Sequence, residues 1–279
     1  MDISNIIIAV CVVGGTGLLF GILLAVASFV FEVKKDERVE KILAVLPGAN
    51  CGSCGYAGCG AYAEAVAGET APVNGCTVGK AKVASQIADI MGVADAGAVE
   101  EVVARVHCGG DKASAVYKYE YSGILDCVAA SKIAGGAKKC LSGCLGLGSC
   151  KAACPFDAIN IENGVAVVDE EKCQACGKCV RTCPKGLIEL IPKKSKVWVG
   201  CSNPEQGKFV NQYCKKGCIG CKICEKACPF DAIHVVDNHA IIDYSKCKSC
   251  GLCAKKCPRG VIHIKQKPAQ PATENKELV

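Results

Sequence analysis

The chain has 279 residues, of which 25 are cysteine and only 5% are aromatic. It is too long for one small disulfide scaffold and too poor in large side chains for a single large core, so it reads as several small modules built around inorganic centres. Its formal charge of +6, from 33 Lys and Arg against 27 Asp and Glu, would suggest a nucleic-acid partner, but metal-bound thiolates carry negative charge that the formal count omits and that reading loses its support.

Residues 6–31 carry no charged side chain, a run longer than the roughly 20 residues that cross a hydrocarbon core as a helix. A cleaved signal peptide would need a basic residue before the run and a shorter apolar stretch, so an uncleaved transmembrane anchor is expected despite the small-residue sequence Ala25-Val26-Ala27. Lys34, Lys35, Arg38 and Lys41 follow the run and only Asp2 is charged before it. The positive-inside rule then puts the C-terminal bulk in the cytoplasm, whose reducing conditions suit thiolates. Gly14, Gly17 and Gly21 offer a face for close approach of another helix. Cys11 reads as an inert apolar residue.

Next come Cys51, Cys54, Cys59 and Cys76, spaced C-x2-C-x4-C-x16-C among glycines. Small residues let backbone N–H groups reach the sulfurs, as an iron–sulfur site requires; a zinc knuckle is the competing reading, since C-x2-C is generic to Cys₄ zinc sites. Residues 79–106 read as helical linker segments broken near Gly92 and Gly97.

The heptapeptide ACPFDAI occurs at 153–159 and again at 227–233, an offset of 74 residues. Without a gap, Cys127, Cys140, Cys144, Cys150, Cys154, Cys173, Cys176, Cys179 and Cys183 superpose on Cys201, Cys214, Cys218, Cys224, Cys228, Cys247, Cys250, Cys253 and Cys257. Two modules of one ancestral type therefore stand in tandem, with a boundary near residues 195–200. The second module has two C-x2-C-x2-C-x3-C-P runs, the bacterial two-cluster ferredoxin pattern, in which the fourth cysteine of each run ligates the other cluster. One [4Fe–4S] cluster is expected on Cys218, Cys221, Cys224 and Cys257, the other on Cys247, Cys250, Cys253 and Cys228. Between the runs, short strands at 232–236 and 240–242, matched at 159–161 and 165–168, supply an apolar floor. His234, His239 and His263 read as strand residues.

In the first module Leu147 stands where the second has Cys221. The nearby Cys140 is taken as the replacement, giving Cys140, Cys144, Cys150 and Cys183 for one cluster and Cys173, Cys176, Cys179 and Cys154 for the other. Five clusters follow, bringing the loaded chain to about −4 at roughly −2 per cluster. Cys108, Cys127, Cys201 and Cys214 remain, as buried thiols, a redox pair or a sixth cluster.

The fold class is thus α+β in small modules. Residues 1–33 form the anchor, 34–80 an α-rich [4Fe–4S] domain and 81–126 a helical linker region. Residues 127–199 and 200–265 form the two ferredoxin-like modules, and 266–279 a flexible tail. The segment AVLPGANCGSCGYAGCGAYAEAVA at 44–67 and both ACPFDAI copies resemble the B-subunit family of Rnf complexes over nearly the whole chain, in the two-module version that looks like that of anaerobes. The resemblance implies a subunit of an ion-translocating ferredoxin:NAD⁺ oxidoreductase, with soluble ferredoxin as donor and other membrane and peripheral subunits as partners. No phosphate-cradling glycine fingerprint leads into a βαβ unit, so flavin and nicotinamide chemistry should belong to those partners. A membrane-tethered redox sensor and a subunit of another membrane oxidoreductase are the alternatives.

Overall fold

A computed structural model describes residues 3–30, 36–94, 97 and 100–265. Lys34, Lys35, the end of the apolar run at Phe31 and the tail at 266–279 lie outside the described residues. Helix α1 (Ile3–Val30) is 28 residues long, about 42 Å at 1.5 Å per residue. Its window Cys11–Ser28 has a mean hydropathy of 2.1, and none of that window is buried against the rest of the protein. Thr16 returns its hydroxyl to the Val12 and Val13 carbonyls, which removes one polar group from the apolar face. The helix is long and apolar enough to cross a membrane. A Cβ added at Gly14, Gly17 or Gly21 would meet nothing within 4 Å, so the small-residue face is bare.

Three helices follow: α2 (Glu37–Val45), α3 (Cys59–Ala67) and α4 (Lys80–Met91). Asp36 caps α2 by accepting the Arg38 N–H at 2.9 Å, and Gly92 ends α4 in the left-handed conformation, φ 69°, that a side chain would strain. The apolar positions of the three helices meet in one core of Ile42, Tyr62, Val66 and Ile87.

The helical reading of the linker region holds for α4 and fails beyond it. Val102–Val106 is strand β1, paired antiparallel with β4 (Ile188–Pro192) in the register Val102↔Pro192 to Val106↔Ile188. The segment VVARV is dominated by β-branched residues that fit a pleated surface, and four of its five positions are buried. The strand therefore belongs with the first module.

That module continues through α5 (Cys127–Lys132), α6 (Ser149–Ala152), the hairpin β2 (Ile159–Glu162) and β3 (Val165–Val168), and α7 (Lys178–Thr182) before β4. The second module repeats it: β5 (Val197–Val199), α8 (Gly207–Tyr213), α9 (Ile223–Lys226), the hairpin β6 (Ile233–Val236) and β7 (His239–Ile242), α10 (Leu252–Lys256) and β8 (Ile262–Ile264). Each has its own small core around its hairpin, with the cysteines packed against it. The gapless step of 74 holds from α6/α9 onward. It fails at the leading strand: Val106 opposes Ile188 and Val199 opposes Ile262, so the step from Val106 to Val199 is 93. The first module carries extra chain between its leading strand and α5.

The modules meet along these leading strands. The Arg105 guanidinium lies 4.1 Å over the Trp198 ring, which stacks on His263. Arg105 also pairs with Glu170 at 2.6 Å, and Lys265 of the second module reaches the same carboxylate at 2.9 Å.

Candidate metal centres

In the N-terminal domain the chain is folded to bring four sulfurs to one place. Asn50, in a left-handed conformation with φ 44°, accepts the Cys59 N–H at 2.8 Å and so starts α3 at a cysteine. Tyr62, 1% exposed, donates its hydroxyl to the Pro72 carbonyl at 2.7 Å and accepts the Gly75 N–H at 3.0 Å. This holds the loop carrying Cys76 over the helix, and burial pushes the tyrosine hydroxyl up to about 12. Gly75 packs closely there, since an added Cβ would sit 3.1 Å from the Tyr62 ring. Burial raises the Cys76 thiol, and Cys59, Cys51 and Cys54 are the charges that raise it further, so the four cysteines of the motif share one site. The Gly79 N–H donates to Cys76 Sγ at 3.3 Å.

In the second module, Cys218, Cys221, Cys224 and Cys257 line one cavity of about 360 Å³. Burial raises the Cys253 thiol to about 11, with Cys247, Cys228 and Cys250 as its charged neighbours, which gathers the second expected set. In the first module, Cys154, Cys173, Cys176 and Cys179 line a cavity of about 330 Å³. Backbone N–H groups donate to sulfur at equivalent positions of the two modules, Ala158 to Cys154 and Ala232 to Cys228, both at 3.4 Å. Such donors stabilise thiolate charge and tune a bound cluster.

The remaining set differs from expectation. A cavity of about 370 Å³ is lined by Cys127, Cys144, Cys150 and Cys183, and Cys140 is not on its wall. Burial raises the Cys150 thiol to about 12, and the thiols acting on it are Cys144, Cys127 and Cys183. Cys127 opens α5, where Asp126 caps the helix by accepting the Ala129 N–H at 2.7 Å. Its own N–H donates to Ser149 Oγ at 2.7 Å, and that hydroxyl donates to Asp126. These bonds fix α5 against α6, the helix that carries Cys150. Cys140 is turned away because Lys118 and Lys139 bond residues 137–139 to residues 116–118 of the extra chain. It lines a separate cavity, also about 370 Å³, with Cys108, Cys201 and Cys214.

The N-terminal set adjoins one set of the first module. Arg181 donates to the Cys51 carbonyl at 2.6 Å, and Cys51 is the first of the thiols that raise Cys176. No group of three or more His, Cys, Asp or Glu side chains among the described residues converges closely enough for a single metal ion. Four thiols lining one cavity match the ligand number of a [4Fe–4S] cube instead.

Comparison with known families matches residues 46–78 to an Fe-S cluster family, and residues 135–184, 172–232 and 217–262 to 4Fe-4S dicluster domains. The chain is 48% identical, over 88% of its length and 74% of the relative's, to the B subunit of the Na(+)-translocating ferredoxin:NAD(+) oxidoreductase complex of Acetobacterium woodii. It is 40% identical to the B subunit of the ion-translocating oxidoreductase complex of Methanosarcina acetivorans, over 88% of this chain and 92% of that one. It belongs to the B-subunit family of ion-translocating oxidoreductases. The B subunit of the proton-translocating ferredoxin:NAD(+) oxidoreductase complex of Clostridium ljungdahlii is 44% identical over 88% of this chain and 86% of its own. Membership makes the chain an iron–sulfur electron-transfer subunit of an ion-translocating oxidoreductase, with [4Fe–4S] clusters as its cofactors. In this electron-transfer subunit the exposed cysteines other than Cys11 are Cys221 and Cys250, both in the second module.

Proposed function

We propose that the chain is the membrane-anchored relay of an Rnf-type ferredoxin:NAD⁺ oxidoreductase, taking electrons from reduced ferredoxin and passing them toward the membrane while partner subunits couple the flow to Na⁺ or H⁺ translocation. The observation that carries this reading is the presence of four-cysteine sets in the N-terminal domain and in both modules, with Cys51 beside Cys176 at one end and Cys221 and Cys250 exposed in the second module at the other.

Five sets would hold clusters: Cys51, Cys54, Cys59 and Cys76; Cys127, Cys144, Cys150 and Cys183; Cys154, Cys173, Cys176 and Cys179; Cys218, Cys221, Cys224 and Cys257; Cys228, Cys247, Cys250 and Cys253. Each bound [4Fe–4S] cluster supplies a site that stores and releases one electron. The thiolates would hold each cluster, the backbone N–H donors at Cys76, Cys154 and Cys228 would offset its negative charge, and the hairpin cores would keep water from it. No residue is assigned a role in transforming an organic substrate.

Helix α1 would span the membrane once, with Arg38 and Lys41 keeping the modules cytoplasmic and Gly14, Gly17 and Gly21 against a partner helix. Purification of the full chain in detergent is expected to bring down flavin-bearing and NAD-binding subunits. Deleting residues 1–33 should give a soluble protein that keeps its iron and loses those partners. Recovery with a regulatory protein instead would favour the sensor, and a mature N-terminus near Ser28 would refute the anchor.

A further inference from the structure

We infer that Cys108, Cys140, Cys201 and Cys214 hold a sixth iron–sulfur cluster, seated between the two ferredoxin modules and joining them into one electron path. The inference rests on the relay reading above and extends it to four cysteines outside any ferredoxin run.

The cavity these cysteines line is about 370 Å³, against about 330, 360 and 370 Å³ at three of the ferredoxin-type sets. Two of the sulfurs lie beside Gly110: Cys214 Sγ and Cys108 Sγ are 3.4 and 3.8 Å from where its Cβ would stand. Each module contributes an equivalent pair. Cys108 and Cys201 stand two residues after β1 and β5 and form an antiparallel bridge with each other. Cys140 and Cys214 are 74 residues apart, matching positions of the repeat. The leading-strand alignment, rather than the gapless one, identifies the partner of Cys201 as Cys108. That leaves Cys127 free to fill the vacancy made by Leu147.

Two further features call for an anion at this place. The Cys144 N–H donates to Cys108 Sγ at 3.3 Å, the same kind of contact found at Cys154 and Cys228. Lys138 lines the cavity and is only 1% exposed. Its ammonium donates to the Gly110 and Gly164 carbonyls at 2.6 and 3.0 Å, and no described carboxylate pairs with it. A buried cation without a counter-charge is costly, and a four-thiolate cluster, at about −2, supplies one. Isolated thiols or two disulfides would leave the ammonium uncompensated.

The location fits a bridge. Cys108 Sγ takes the Cys144 N–H of the first module, and Cys201 packs against the second-module core that contains Cys218. One electron would arrive from one module and leave to the other, with no proton or group transferred.

Metal analysis of the full-length holo protein in detergent tests this. About 24 iron and about 24 labile sulfide per chain are expected, at four of each per cluster. Cys108→Ala with Cys201→Ala should lose about four of each and one cluster signal in a redox titration followed by electron paramagnetic resonance. Lys138→Met should keep the iron and move one cluster to a more negative potential, which a purely structural role for the lysine would not do. About 20 irons in the wild type with five intact cluster signals, unchanged iron in the double variant, or stoichiometric zinc would overturn the inference; the first two outcomes would leave the five-cluster reading standing.

Discussion

Replacing Lys215, Lys255 and Lys256 with Glu is expected to slow reduction of the chain by ferredoxin by about tenfold or more at low ionic strength, within the range that electrostatic steering supplies. The expectation starts from charge. Residues 214–267 contain 11 Lys and Arg against four Asp and Glu, whereas residues 140–193 contain six of each. The two clusters proposed for each module would subtract about 4, leaving the second positive at about +3 and the first negative at about −4. An acidic soluble carrier would be drawn to the second module, and that is where Cys221 and Cys250 reach the surface. Lys216, which sequence alone would group with the other three, is already paired with Asp111 at 2.6 Å and contributes less to a long-range field. The three lysines left are exposed. The variant should show a flatter dependence on salt and an unchanged rate with dithionite, which needs no docking. An unchanged ferredoxin rate at low ionic strength would move the docking surface elsewhere.

Sequence spacing and the structure agree on which cysteines lie together where three of the four come from one short run. The sets around Cys51, Cys173, Cys218 and Cys247 each gather where the motifs put them, because C-x2-C spacing and the returning fourth cysteine confine the sulfurs through local geometry. Both hairpins and the helical character of residues 80–91 were legible for the same reason, from alternation and apolar periodicity. The structure groups the cysteines differently where tertiary contact overrides proximity. Cys140 lies only four residues from Cys144, yet the backbone bonds of Lys118 and Lys139 hold its segment beside the extra chain, and it lines the cavity with Cys108, Cys201 and Cys214 instead. Cys127 lies 17 residues upstream of Cys144 and is carried in by α5. Its match to Cys201 in the gapless repeat is not the one seen in the structure, where the step of 74 holds only from α6 and α9 onward and Cys201 bridges Cys108. One signal was available: Val102–Val106 has the β-branched composition of a leading strand. Aligning it with Val197–Val199 places Cys108 opposite Cys201.

Cutting the relay in its middle should have the largest effect of any substitution. Cys150→Ala together with Cys183→Ala removes two of the four sulfurs of the set they share with Cys127 and Cys144, and a cluster held by two thiolates is not expected to persist. The set lies between Cys108, at the module junction, and the Cys154, Cys173, Cys176 and Cys179 set. The latter in turn adjoins Cys51. Iron should fall by about four per chain, as one cluster is lost, while ferredoxin still docks on the untouched second module. Should this double variant fold poorly, Cys127→Ser addresses the same set from α5, away from the ferredoxin runs.

The decisive measurement is rapid-freeze electron paramagnetic resonance after mixing reduced ferredoxin with the full complex, comparing wild type with this variant. A linear relay predicts that second-module clusters are reduced at the wild-type rate in both proteins, whereas reduction of the Cys51, Cys54, Cys59 and Cys76 cluster disappears on the timescale of turnover in the variant. Reduction of that membrane-side cluster at an undiminished rate, with the middle site empty, would contradict the account.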